Sequence, residues 1–499
     1  MRAGGVLMHI TSLSSPYGIG TIGKAAYEFV DFLKEAGQSY WQILPLCPTG
    51  YGDSPYQSFS TFAGNPYLID LEDLLKEKYL TKKELQAVDW ESGPLAVNFD
   101  AMYHKRFGIL KKAVSRFLKE PSKEYTAFLK DENSFWLEDY ALFMALKDAH
   151  GGAPWQEWEE DLKCRKPSAL KAAGKKYAAE IEFWKVLQFF FREQWDGLRK
   201  YAGDNGIELI GDLPIYVACD SADVWSNTAL FQLDEKLEPT DVAGCPPDGF
   251  SATGQLWGNP LFDWGKMAED GYGWWLRRIR HCFGLVDVLR IDHFRAFSGY
   301  YAIPAGDPDA RNGQWKPGPG IQFFKEIEKQ LGKKRIIAED LGFLTPDVRK
   351  LLKKTGFPGM KVLEFAFDSR DGNGNDYRPY LYPEKCVAYV GTHDNDTAAG
   401  WMKTAPASDR KVAREYLNLN RTEGYHWGMM RGIWASPAEL AIVQAQDILG
   451  LGSEARMNTP STLGNNWTWR APEGAFDQNL AKKCREKMEL YGRLPKGLK

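Results

Sequence analysis

The stretch "GLVDVLRIDHFRAF", Gly284 to Phe297, decides how the rest of the chain is read. Its apolar run has the make-up of a buried strand, yet it ends in Arg290, Asp292, His293 and Arg295, groups that are costly to bury unless they are paired. An amphipathic segment closing on Gly, "WWLRRIRHCFG", leads into it. The same succession of helix, Gly and β-rich run recurs along the chain. Phe29, Phe32, Leu33 and Ala36 share one helical face, Gly37 stops that helix and "YWQILP" follows; Phe191, Trp195, Leu198 and Ala202 lie ahead of "IELIGDLPIYV". "FFKEIEKQLG" precedes "RIIAEDLG", and "TPDVRKLLKKTG", with Thr345 as N-cap and Pro346 at the first helical position, precedes "GMKVLEFAF". With "GGVLMHI", "CVAYVGTHD" and "LAIVQAQDIL" the strands number eight.

Eight strands, mostly separated by helices, predict an α/β fold, a (β/α)8 TIM barrel. An open doubly wound sheet fits less well, because the Gly-rich phosphate turn after its first strand is missing. The 499 residues are about twice what a plain barrel needs. The excess predicts a single catalytic domain over residues 1–499 with two insertions forming subdomains. One covers about 71–187 and is charged and mostly helical; the other covers about 216–267, is rich in Gly, Pro and Trp, and reads as loops.

A formal net charge of -3 with no long basic block argues against nucleic acid or anionic lipid as a partner. No uninterrupted apolar span reaches the roughly 18 residues of a membrane helix. The start "MRAGGVLMHITSL" enters a strand pattern instead of a signal peptide, so a cytoplasmic protein is expected. The seven scattered cysteines without C-x-x-C read as reduced thiols. Aromatic residues are abundant, with 18 Trp, 23 Tyr and 27 Phe, many beside Gly or Pro where a ring can be displayed to a ligand with apolar ring faces.

Barrel enzymes place reactive groups at the C-terminal ends of strands. Four such ends carry acids: Asp212 in "LIGDLPIY", Asp292 in "VLRIDHF", Glu339 or Asp340 in "IIAEDLG", and Asp394 or Asp396 in "YVGTHDND". Strand alternation puts Arg290 and Asp292 on one face, where the guanidinium is expected to lower the carboxyl pKa and keep a nucleophile ionised. Of Glu339 and Asp340 only one can face the barrel mouth, and in a drier setting it would serve as a proton donor. Two carboxyls tuned apart plus a third are what cleavage of a glycosidic bond needs. "GYGDSPYQSFS" then offers Tyr51 and Tyr56, and "FSATGQLWGNPLFDW" offers Phe250 and Trp257, as faces for pyranose rings.

Six ordered motifs carry a resemblance: "GDSPYQSFSTFAGNPYLID", "GDLPIYV", "PPDGFSATGQLWGNPLFDW", "LRIDHFRAF", "IAEDLG" and "GTHDNDT". From about Gly5 to Arg470 the chain closely resembles the 4-α-glucanotransferases called amylomaltases or disproportionating enzymes, glycoside hydrolase family 77 of the α-amylase clan. The resemblance implies Asp292 as nucleophile, Glu339 as acid/base and Asp394 as transition-state stabiliser. It implies that Arg290, Asp212 and His393 contact the nucleophile and the donor sugar, and that Tyr56 stacks on that sugar. Asp248 and Trp257 would lie on a loop over the acceptor side, and Asn466 in "GNNWTWR" would bind sugar. One departure stands out: "PPDGF" has Gly249 where a Tyr is expected, which removes an acceptor-side ring.

The implied reaction moves a segment of an α-1,4-glucan to the 4-hydroxyl of another glucan or maltooligosaccharide by retaining double displacement, with no cofactor. Metal catalysis is disfavoured by only 7 His, none in H-x-H or H-E-x-x-H spacing. An α-amylase-type hydrolase would use the same trio with water as acceptor. A non-catalytic glucan-binding protein would have lost a carboxylate, and all three are present.

Overall fold

The computed structural model describes residues 2–247, 251–342, 344–370 and 374–495. The described residues form twelve strands: β1 (Ala3–Leu7), β2 (Tyr40–Gln42), β3 (Glu208–Leu213), β4 (Asp241–Cys245), β5 (Gln255–Pro260), β6 (Val288–Ile291), β7 (Gly299–Pro304), β8 (Gln314–Pro317), β9 (Ile336–Ala338), β10 (Gly359–Val362), β11 (Cys386–Tyr389) and β12 (Leu440–Gln444). Eight of them run parallel in the order β10-β11-β12-β1-β2-β3-β6-β9. Those eight coincide with the eight strands read from the sequence. The two ends of the order meet where the Ala338 N–H donates to the Pro358 carbonyl at 2.9 Å. Asp340 completes the seam, its carboxylate accepting the Met360 N–H at 2.6 Å. The chain is a TIM barrel.

The strands are short and apolar because both of their faces are covered: every residue of β6, β9, β11 and β12 is buried. Around them lie helices that each bury one stripe, such as Lys24–Glu35 with Phe29, Val30, Phe32 and Leu33 inside. The sequence signals for helix ends hold. Thr345 occupies the N-cap position of Pro346–Thr355 without a side-chain capping bond, Pro346 stands in its first turn, and the helix stops at Gly356 with φ 68°, a left-handed conformation that costs glycine least.

Between β2 and β3 the chain builds a helical layer that ends in one 27-residue helix, Ala178–Asp204. The expected insertion boundary near 187 falls inside this helix. Its first half buries Ile181, Phe183 and Trp184, and it packs on the helix Glu138–Ala149. Its second half buries Trp195, Leu198 and Ala202 as the helix leading into β3.

The span 216–267, read as loops, holds β4 and β5, and these pair with β7 and β8 from beyond its expected end in an antiparallel sheet of order β5-β4-β7-β8. The strands escaped notice because Gly and Pro interrupt them. Gly244 has a reason to be there: a Cβ at this position would lie 2.1 Å from the Gln255 carbonyl oxygen of the neighbouring strand. In register, Leu256, Gly244, Tyr301 and Trp315 form one row across this sheet.

Candidate active site

Asp212 on β3 and Arg290 on β6 are register partners across adjacent barrel strands. One guanidinium nitrogen of Arg290 donates to both carboxylate oxygens of Asp212, at 2.6 and 2.7 Å, and the other donates to Asp292 at 2.9 Å. Burial is graded along this chain of charges. The side chains of Asp212 and Arg290 are 0% and 4% exposed, while Asp292, one residue past the end of β6, is 30% exposed. The planar fork of arginine can serve two carboxylates at once, which a lysine point charge cannot.

Glu339 follows β9, the next strand of the barrel. Its carboxylate accepts from the backbone N–H of His293 and of Leu341, each at 2.7 Å. His293 presents its N–H from a left-handed turn, φ 50°. Burial first, and the Asp292 charge second, push the Glu339 carboxyl up to about 7, against the opposing pull of Arg290. Asp340 points into the barrel seam described above and is only 6% exposed. Of the two adjacent acids, Glu339 is therefore the one presented to the mouth.

The expectation that Arg290 lowers the Asp292 pKa needs correction. Burial is the larger cause and raises it above the usual carboxylate value, with Arg290 and His393 working in the opposite direction. The guanidinium limits a desolvation cost; it does not produce an unusually strong acid.

Asp394 lies beyond β11 on a loop and is more open, its side chain 47% exposed. The Asn458 side chain donates to its carboxylate at 2.6 Å, Arg456 donates to its backbone carbonyl at 2.5 Å, and the His393 ring stands 3.4 Å away. Asp396 is occupied otherwise, accepting from Ser453 at 2.7 Å, Thr404 at 3.2 Å and the Thr397 N–H at 2.8 Å. Again one acid of an ambiguous pair is open and the other is structural.

Tyr56 donates to Asp212 at 2.8 Å, and its ring lies flat on His393, centroids 5.0 Å apart and planes at 17°. One face of Tyr56 is thus already covered. Trp257 on β5 is half-buried, with its ring perpendicular to His293 at 4.8 Å. Asn466 has both ends of its carboxamide engaged within its own loop: the oxygen accepts the Thr459 N–H at 3.0 Å, and the nitrogen donates to the carbonyl and hydroxyl of Thr462, each at 3.1 Å. The backbone of Tyr51 lies in the short turn Tyr51–Asp53. The Tyr51 side chain and the whole of Asp248, Gly249 and Phe250 lie outside the described residues.

Asn458 and Arg456 were not singled out in the sequence. They sit in a polar loop with no period to mark them. Among the described residues, no group of three His, Cys, Asp or Glu is arranged to hold a metal ion, and no helix is long and apolar enough to cross a membrane.

A family model described as 4-alpha-glucanotransferase matches residues 8–475. The chain belongs to the 4-alpha-glucanotransferase family. A 4-alpha-glucanotransferase of Clostridium butyricum is 47% identical over 97% of this chain and all of the relative, and one from Thermus thermophilus is 45% identical over 99% of each. The chloroplastic/amyloplastic 4-alpha-glucanotransferase of Arabidopsis thaliana is 43% identical over 99% of this chain and 86% of the plant protein. Among solved structures, an amylomaltase from Streptococcus agalactiae in complex with acarbose superimposes with a TM-score of 0.96 at 41% identity, covering 99% of this chain and 100% of that one. As a 4-alpha-glucanotransferase family member the chain is an enzyme of α-1,4-glucan transfer, the class to which the six motifs pointed.

Proposed function

We propose that Asp292, Glu339 and Asp394 carry out this transfer by two displacements at one anomeric carbon. Asp292 attacks that carbon as the bond to the leaving sugar breaks, and Glu339 gives its proton to the departing oxygen. The 4-hydroxyl of an incoming maltooligosaccharide then loses its proton to Glu339 while its oxygen displaces the Asp292 carboxylate, so two inversions return the starting configuration. Asp394 supplies negative charge to the positively charged ring of each transition state. Arg290 and Asp212 hold Asp292, and Tyr56, His393 and Trp257 line the sugar path.

One observation carries the assignment: carboxyls at the ends of two adjacent strands meet different partners. Asp292 leans on a guanidinium, whereas among the described residues Glu339 accepts from two backbone N–H groups and keeps its proton to about pH 7. The donor and acceptor are α-1,4-glucans and maltooligosaccharides, and the setting is the cytoplasm.

The test is incubation with maltotriose, reading products by size together with glucose and total reducing ends. A ladder of longer oligosaccharides plus glucose, with reducing ends constant, is the expected result. Rising reducing ends with only shorter products would mean that water is the acceptor and would overturn transfer in favour of hydrolysis.

A further inference from the structure

The antiparallel sheet touches the turn after Asp292 at two alternate residues. Trp257 of β5 stands on His293, and Trp315 of β8 takes the Arg295 guanidinium over its ring at 4.0 Å. That same turn is bonded to the acid/base: the His293 N–H donates to the Glu339 carboxylate at 2.7 Å, and the Phe294 N–H donates to the Glu339 carbonyl at 3.0 Å. Arg295 is the next residue. Trp315 therefore stands one arginine side chain away from the backbone that holds Glu339.

Trp315 is held firmly and yet left open. Register pairs it with Tyr301, whose ring lies 5.1 Å from it and whose hydroxyl is tied to the Ala310 carbonyl at 3.0 Å. Its neighbour Lys316, pointing to the other face, is anchored to Asp241 at 2.7 Å. Trp315 as a residue nonetheless remains 45% exposed, and Leu256, in the same cross-strand row, is 42% exposed. A tryptophan fixed by two neighbours but half in water is pre-organised for a contact the free protein does not make.

We propose that Trp315 is an acceptor-side stacking platform, set in its angle by Arg295, which receives a pyranose ring of the glucan beyond the sugar served by Glu339. The inference rests on the reading of Glu339 as acid/base. Leaving and accepting sugars occupy the same side of the site, because one group protonates the first and deprotonates the second. An acceptor presents its 4-hydroxyl end to Glu339 and extends its reducing end away from it. A glucose acceptor is too short to reach Trp315, whereas maltotriose extends toward it. Apolar C–H faces of the pyranose meet the indole.

The experiment uses α-maltosyl fluoride as donor, whose leaving group places no sugar on the acceptor side, with glucose or maltotriose as acceptor. Trp315→Ala is expected to raise KM for maltotriose about tenfold. KM for glucose, and kcat/KM for fluoride release, should stay within about twofold of the parent on the same reasoning. Trp315→Phe keeps a ring and should recover most of the loss, which separates stacking from mere support of the hairpin. An unchanged KM for maltotriose, or an equal loss with both acceptors, overturns the proposal alone. A parent enzyme that transfers to neither sugar overturns the underlying reading and this one with it.

Discussion

Asp292 and Asp394 are close enough for the charge of each to act on the other, but different parts of the molecule position them. Asp292 belongs to the barrel wall. The register of β3 and β6 sets Asp212 against Arg290, and Arg290 in turn holds Asp292 at 2.9 Å. Asp394 belongs to the rim, where it is secured by Asn458 and Arg456, residues more than 60 positions further along the chain. Wall positions are fixed by a hydrogen-bonded ladder, in which displacing one residue displaces its partners. Rim positions depend on a few side-chain contacts made by loops. On the proposed mechanism, the group that would form the covalent bond is on the stiffer support, and the group that would answer a developing charge is on the softer one.

The largest effect should come from the wall. Asp292→Asn is expected to lower kcat by more than about 10^4-fold while far-UV circular dichroism and glucan binding persist. Activity within tenfold of the parent would remove Asp292 from the nucleophile role and break the comparison at its first member.

Arg290→Leu asks whether the wall depends on its ion network. Among the described residues, it leaves Asp212, 0% exposed, with the Tyr56 hydroxyl as its remaining side-chain donor. A loss of about 3–5 kcal/mol in urea unfolding is expected for an uncompensated buried charge. A loss below about 1 kcal/mol would show that strand packing alone holds the wall.

A pH titration sharpens the same contrast. Glu339 must be protonated to act as an acid, so kcat/KM should fall as pH rises above about 7. In Asp292→Asn one cause of the upward shift is gone, and the Glu339 carboxyl, followed by carbon NMR, should titrate at lower pH. The sign for stability follows: this group's folded value is raised from the ordinary 4.5 to about 7, so its contribution is full below 4.5 and is lost as pH rises to about 7.

The smallest effect is expected on the rim. Asn458→Ala removes one hydrogen bond from Asp394, and kcat/KM should drop about tenfold with unfolding stability within about 1 kcal/mol of the parent. A loss of stability as large as that of Arg290→Leu would show the rim to be as structural as the wall.

Much of this site is legible in the sequence. Arg290 and Asp292 are two apart on a strand, so they share a face whatever surrounds them. The eight barrel strands showed through because each must be apolar on both faces and several follow an amphipathic helix whose end is marked by Gly. The strands β4, β5, β7 and β8 did not show. They are short, broken by Gly and Pro, and stabilised by partners distant in sequence.

What the sequence determined by itself was the set of acids and the period that aligns them, because side-chain direction along a strand is a local property. What only the tertiary structure decided was which acid of each pair is free to react. Asp340 is spent on the barrel seam and Asp396 on the Ser453 and Thr404 hydroxyls. The tertiary structure also decided how strongly each acid holds its proton. Burial outweighs the adjacent guanidinium at Asp292 and raises Glu339 to about 7. Desolvation depends on everything packed around a group, and no spacing in a sequence records that sum.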